Sequence, residues 1–254
     1  MFPLRDENPT ILTPIITILM VVLNVAVWIL IQGAGTSMEV LSDSVCRYGA
    51  IPAEITGSAA GYSSVELGPG ITCQLGGLTF SAVLTSMFMH GGWLHLIGNM
   101  WFLWIFGNNI EDSMGHLRFL LFYVVCGVLA SAAHIFSQPG SAIPTVGASG
   151  AISGVMGAYL LLYPRVRIYT LFIIIFFIRV IPVPAWVILL WWFVIQVLSG
   201  SVSMAGAGVA FWAHVGGFVA GLLLVKLFEN RQLVAARRQH IRLSPFEVQH
   251  RGWL

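Results

Sequence analysis

Residues 117–136 read Leu-Arg-Phe-Leu-Leu-Phe-Tyr-Val-Val-Cys-Gly-Val-Leu-Ala-Ser-Ala-Ala-His-Ile-Phe. Apart from Arg118 in its first turn and His134 near its end, the run carries no basic or acidic side chain. A helix needs about 20 such residues to cross the hydrocarbon core of a bilayer. A β-barrel strand would instead be a short alternating segment, so unbroken runs of Leu, Val and Phe exclude that class. The whole chain agrees, with 57% hydrophobic and 9% charged residues and a mean hydropathy of +0.87. A soluble domain carries about a quarter charged residues; this chain cannot cover a water-facing surface, and its solvent is largely lipid.

Working outward, the candidate spans are Ile11–Ile31, Trp93–Phe106, Leu117–Phe136, Ala148–Tyr163, Pro184–Leu198 and Gly208–Leu227. The pattern predicts an all-α membrane protein, a bundle of six transmembrane helices with a long first outer loop. The first stretch lacks a basic n-region followed by a small-residue cleavage site and is expected as a retained helix. The segment Leu171–Ile181 is apolar but ends at Arg179, Pro182 and Pro184, and proline breaks a helix interior. It is expected as a re-entrant or interfacial piece.

Charge placement sets the orientation. With both termini cytoplasmic, the inner segments hold Arg5, Arg118, Arg165, Arg167, Lys226, Arg231, Arg237, Arg238, Arg242 and Arg251, and the outer loops hold Arg47, with Arg179 ambiguous. The expected division is a membrane domain at 1–228 and a basic cytoplasmic tail at 229–254. The tail's use is contact with anionic lipids or simple solvation. Cys46 and Cys73 both fall in the outer loop, where a disulfide is permitted; two unpaired thiols are the alternative. Cys126 reads as a small core hydrophobe.

Polar groups inside a span are costly, and each is a candidate for function. They are His90, His95, Asn99, His134, Ser149 and His214. A lone intramembrane serine usually bonds back to its own helix, and a lone histidine can serve packing. Ser149, however, sits in Pro144-Thr145-Val146-Gly147-Ala148-Ser149-Gly150, where a polar loop enters a helix. The free N–H groups and positive dipole there would stabilise an oxyanion, and Gly147 and Gly150 let a substrate approach closely. A serine needs a base, and Ala213-His214-Val215-Gly216-Gly217 supplies His214. Gly217 and Gly221 share its helical face, as Ser153 and Gly157 share that of Ser149, beside Gly150 and Gly154. Two small-residue faces would pack closely and bring Ser149 to His214. His95 and Asn99, four apart, stack on the second helix, where Asn99 can donate to an oxyanion beside the Ser149 N–H. His90 belongs to the loop entering that helix, across Gly91-Gly92. Glu111 and Asp112 fall in the inner loop, at the far end of the second helix, so a dyad fits better than a triad.

The stretch Met89-His90-Gly91-Gly92-Trp93-Leu94-His95-Leu96-Ile97-Gly98-Asn99 resembles the His-then-His-x-x-x-Asn motif of the rhomboid family. Gly147-Ala148-Ser149-Gly150 is similar to its Gly-x-Ser-Gly motif, and Ala213-His214-Val215-Gly216-Gly217 to its Ala-His-x-x-Gly segment. The resemblance covers roughly 1–228. It implies a rhomboid intramembrane serine protease with Ser149 as nucleophile and His214 as base and then acid. Asn99, His95 and the Ser149 amide would hold the oxyanion, and His90 would shape the site. Expected partners are single-span membrane proteins, cut at a small residue near the outer boundary, and the bilayer. Neither a cofactor, a metal nor nucleic acid is implied. Two departures stand out. Phe80-Ser81-Ala82 occupies the region of a Trp-Arg pair found in some relatives, and Ser153 replaces a tyrosine that stacks on the histidine. The His214 ring would then be oriented by Trp212 or another neighbour.

Two other readings compete. A proteolytically inactive rhomboid-like protein that binds clients would be expected to lack the serine or histidine. A small transporter would show internal repeats, and none is evident. With no organelle-targeting segment evident, the expected site is a bacterial inner membrane.

Overall fold

The computed structural model describes residues 2–58, 63–68, 71–76, 80–174, 177–202 and 210–238. The first strand, β1 (Phe2–Asp6), leads into α1 (Ile15–Leu30). The outer connection carries α2 (Met38–Tyr48), α3 (Pro52–Ile55), the hairpin β2 (Ser64–Gly68) and β3 (Ile71–Gln74), and α4 (Ala82–Thr85). The second long helix is α5 (Trp93–Phe102), continued through a π turn, Leu103–Gly107, into α6 (Asn108–Met114). Then follow α7 (His116–Ser137), α8 (Ser149–Leu162), β4 (Arg167–Ile174), β5 (Phe177–Pro184), α9 (Ala185–Val202), α10 (Phe211–Phe228) and α11 (Arg231–Arg238).

Each of the six predicted spans contains a helix. Three of them, α7, α9 and α10, are long and apolar enough to cross a membrane, while α1 and α8 are shorter apolar helices. Runs of Val and Ile that would favour strands in water become helices here, because lipid leaves no partner for backbone groups outside the segment. Large apolar side chains such as Leu30, Leu94, Phe136 and Leu227 stay exposed on the outside. Inside, Trp28, Phe106, Phe119, Phe122, Tyr123, Tyr159 and Phe218 are fully buried.

The all-α expectation does not extend to the strands, and the segment at 171–181, expected as a re-entrant or interfacial piece, contributes to two of them. That segment lies in an antiparallel hairpin in which Arg167 pairs with Pro184 and Ile174 with Phe177. The other side of β4 pairs with β1, from Phe2 opposite Leu171 to Asp6 opposite Ile168. The sheet order is β1-β4-β5. Pro182 and Pro184, which argued against a helix, sit on an edge strand, where a missing N–H costs little. The N-terminal strand is tied to the bundle as well. Asp6 Oδ2 accepts from Asn109 Nδ2 and Tyr159 Oη at 2.7 and 2.6 Å, and Trp101 Nε1 donates to the Pro3 carbonyl at 2.7 Å.

Glu111 and Asp112 are also placed differently from expectation. They lie not in a loop but in α6, and both are buried. Each satisfies backbone donors at or just before the start of α1, whose N-cap, Pro14, offers no side-chain oxygen. Ile16 N and Thr17 N donate to Glu111 at 2.8 Å each, Thr17 Oγ1 at 2.7 Å, and His116 Nδ1 lies 2.6 Å from Oε1. Ile11 N and Leu12 N donate to Asp112 Oδ1 at 3.0 and 2.6 Å. Orphan donors at a helix start need such partners.

Cys46 on α2 and Cys73 on β3 form a disulfide, closing a 27-residue separation. A loop of that length is worth about 3.5 kcal/mol of unfolded-chain entropy. Part of the expected tail is ordered, since α11 is capped by Asn230 Oδ1 on Gln232 N at 3.0 Å and docks on α6 through Asn230 N to the Ser113 carbonyl. The remainder of the tail, with Arg242 and Arg251, lies outside the described residues, as does the start of the sixth predicted span at Gly208.

The close approach of α8 and α10 is what positions the site. A Cβ on Gly217 would collide with the Gly150 carbonyl, and one on Gly221 with the Gly154 carbonyl. Small residues are required where backbones touch. Gly221→Val is therefore expected to destabilise the fold by about 1–3 kcal/mol. Through the shifted α10 it should also cut any Ser149-dependent turnover by about 100-fold. Thermal melts and turnover rates in the same detergent check both.

Candidate active site

The end of the loop before α8 is held by three backbone hydrogen bonds, at Thr145 and Gly147. Ala50 and Thr145 exchange backbone hydrogen bonds of 3.0 and 2.8 Å, and Gly147 N donates to the Ser86 carbonyl at 2.9 Å. Gly147 has φ +128°, and a Cβ there would stand 2.8 Å from His95 Nε2. Only glycine meets both demands. The chain then turns into α8 with Ser149 as its first helical residue, so the Ser149 N–H has no intrahelical acceptor.

His214 lies in the first turn of α10, facing that serine. Its Nε2 is 2.8 Å from Ser149 Oγ, and its Nδ1 is 2.8 Å from Gln196 Oε1 on α9. The Trp192 ring packs beside the imidazole, centroids 5.8 Å apart. Trp212, offered by the sequence as an orienting neighbour, sits instead beside Gly200. Ser153 takes no part with the imidazole. Its Oγ donates to the Ser149 carbonyl at 2.6 Å, the back-bond first weighed for Ser149 itself.

On α5, His95 Nδ1 accepts from Gly91 N at 3.3 Å. That leaves Nε2 as the protonated nitrogen, and it is the one beside Gly147. Asn99, one turn on, is buried, and its amide nitrogen has no acceptor among the described residues. His90 precedes the helix, as the spacing predicts, and its ring meets His95 edge-on at 5.1 Å. Its backbone is clamped by Gln32, which donates to the His90 carbonyl and accepts from His90 N, both at 2.8 Å. His134 is buried in α7 and Cys126 is a buried free thiol.

His95, Asn99, Ser149 and His214 share the wall of one cavity of about 750 Å³ with Phe102, Met156 and Trp192. The arrangement has a hydroxyl in contact with a base, unspent N–H donors around it, and apolar walls. The sequence profile of the Rhomboid domain matches residues 78–231, which contain every one of these groups.

The chain belongs to the rhomboid family.

It is similar to "Rhomboid protein 1, mitochondrial" of Saccharomyces cerevisiae, 29% identical over 175 residues, 62% of this chain and 46% of the yeast protein. It is 41% identical over 78 residues to "Rhomboid protease GluP" of Bacillus subtilis, covering 31% of this chain and 15% of that one. It is 34% identical over 145 residues to "Rhomboid-like protease 5" of Toxoplasma gondii, covering 56% and 15%. The matches thus span less than half the length of these curated relatives. Membership of the rhomboid family, with the apolar helices, makes the chain an integral membrane protein.

Two polar residues of this rhomboid site escaped the sequence reading, Gln32 and Gln196. Gln196 lies within the fifth predicted span, so the cost of polar groups in lipid that singled out the histidines applies to it equally. Gln32 lies just beyond α1 and carries no such signal.

Proposed function

We propose that this rhomboid-family protein is a serine endopeptidase that cuts single-span membrane proteins near the outer membrane boundary. The observation that carries the reading is the 2.8 Å contact of Ser149 Oγ with His214 Nε2 at the wall of the cavity. In the proposed reaction His214 Nε2 takes the hydroxyl proton as Oγ bonds to the scissile carbonyl carbon. The oxyanion is held by the Ser149 N–H at the start of α8, the Asn99 amide and His95 Nε2–H. His214 then passes its proton to the departing amine as the peptide bond breaks. A water, deprotonated by the same nitrogen, attacks the acyl ester and releases Ser149. His90 packs behind His95 and holds it in place, while Gly147 and Gly150 keep the approach to Oγ open. No step calls for a metal or cofactor.

The proposed setting has six membrane-crossing helices, α5 with α6 serving as the second, and both termini in the cytoplasm. Residues 1–228 then form the membrane domain and 229–254 the basic tail, in a bacterial inner membrane. The sheet lies on the inner side, so Arg179 joins the inner cations, and the disulfide lies outside.

The test uses purified protein in liposomes with a single-span reporter and mass analysis of the fragments. Cleavage within the outer end of the reporter span supports the reading. A folded protein that leaves several reporters intact argues for the client-binding alternative. In the same assay Asn99→Ala is expected to lower kcat by about 10²- to 10³-fold, the loss usual for one oxyanion donor, with KM little changed.

A further inference from the structure

Gln196 is a buried amide on a helix whose neighbouring residues Trp191, Val194, Ile195 and Leu198 are exposed. Two contacts define its orientation. Nε2 donates to the Trp192 carbonyl at 3.4 Å, and Oε1 faces His214 Nδ1 at 2.8 Å. A backbone carbonyl can only accept, so the amide nitrogen must face Trp192 and the amide oxygen must face the imidazole. An amide oxygen can only accept as well, so the proton of neutral His214 has to reside on Nδ1. That leaves the Nε2 lone pair directed at Ser149 Oγ, 2.8 Å away. The polarity runs one way along the chain, from Ser149 O–H through His214 and Gln196 to the Trp192 carbonyl.

We propose that Gln196 is a positioning residue for His214, holding the imidazole in the one tautomer and ring orientation that can accept the Ser149 proton. The inference rests on the serine-protease reading above and adds a third, uncharged member to the pair. A carboxylate there would align the ring too, at the cost of burying a charge; an amide aligns it without one. When Nε2 takes the serine proton the ring becomes cationic, and the Nδ1–H···Oε1 bond becomes charge-assisted and stronger. The bond therefore gains strength in the transition state, and its loss should appear in kcat and not in KM.

The experiment compares wild type, Gln196→Leu, Gln196→Glu and Ser149→Ala in liposomes with one reporter. It is joined to ¹⁵N NMR of histidine-labelled protein, which reports the protonated ring nitrogen without reference to activity. Gln196→Leu is expected to fold, as judged by its melting curve, and to lose about 10- to 100-fold in kcat at unchanged KM. Its His214 should shift from pure Nδ1–H toward a mixture with Nε2–H. Gln196→Glu restores an acceptor oxygen and should recover most of the lost rate. A Leu variant with kcat within about twofold of wild type and His214 still held as Nδ1–H overturns the proposal while leaving the dyad intact. A reporter that wild type leaves whole, or that Ser149→Ala still cuts, sinks the protease reading and this proposal with it.

Discussion

Replacing Ser149 by Ala, or His214 by Ala, is expected to lower turnover of a single-span reporter by about ten-thousand-fold or more. Either change removes half of a unit that acts only as a whole. Without Oγ there is no atom to form the acyl bond, and without Nε2 the hydroxyl keeps its proton. The double variant should be scarcely worse than either single one, because each already abolishes the same step. Stability should hardly move in Ser149→Ala, which loses one hydrogen bond of 2.8 Å, whereas His214→Ala also leaves the buried Gln196 Oε1 without its 2.8 Å partner and should cost about 1–3 kcal/mol. Melting curves beside progress curves would show this pattern. Equal losses in a variant that no longer folds would carry no such meaning, and full activity in Ser149→Ala would remove the assignment.

The second large effect is expected far from that serine. Glu111→Ala would strip an acceptor from Ile16 N, Thr17 N and Thr17 Oγ1, and leave His116 without its 2.6 Å contact. The donors are enclosed where α1 meets α6, and Glu111 and Thr17 are fully buried. Buried donors left unsatisfied cost about 1–3 kcal/mol each, so the three together are expected to cost about 3–5 kcal/mol. Glu111→Gln, which keeps one oxygen, should lose about half as much. Denaturation in mixed micelles measures both. At a temperature where the variant stays folded, its turnover per folded molecule should match wild type. The two predictions thus separate chemistry at one end of the bundle from cohesion at the other.

Much of the site was legible because membrane burial makes polar residues conspicuous. His95, Asn99, Ser149 and His214 stood out against apolar runs, and the structure sets all four around one cavity. The glycine spacing predicted that α8 and α10 would touch, and Gly217 and Gly221 meet Gly150 and Gly154 there. Glu111 and Asp112 were misread for a related reason. Two charges after an apolar run look like the water-facing end of a span, whereas here each satisfies backbone donors near the start of a helix remote in sequence, 95 residues away for Glu111 and 101 for Asp112. The hairpin at 167–184 was missed because a short apolar run carries no period that separates strand from helix. Its strands form by pairing with each other and with β1, over 160 residues earlier.

By itself the sequence determined the solvent, the helical runs that lipid imposes, and which polar groups had to have a purpose there. These are properties of local composition, and a bilayer reads local composition directly. The small-residue faces of α8 and α10 already match His214 with Ser149. Only the tertiary structure decided the remaining partners. It put Gln196 on the other side of His214 and gave the His90 backbone to Gln32. It also joined Cys46 to Cys73. Hydrogen bonds and disulfides depend on distances of a few ångströms between segments remote in the chain, and no local pattern encodes those distances.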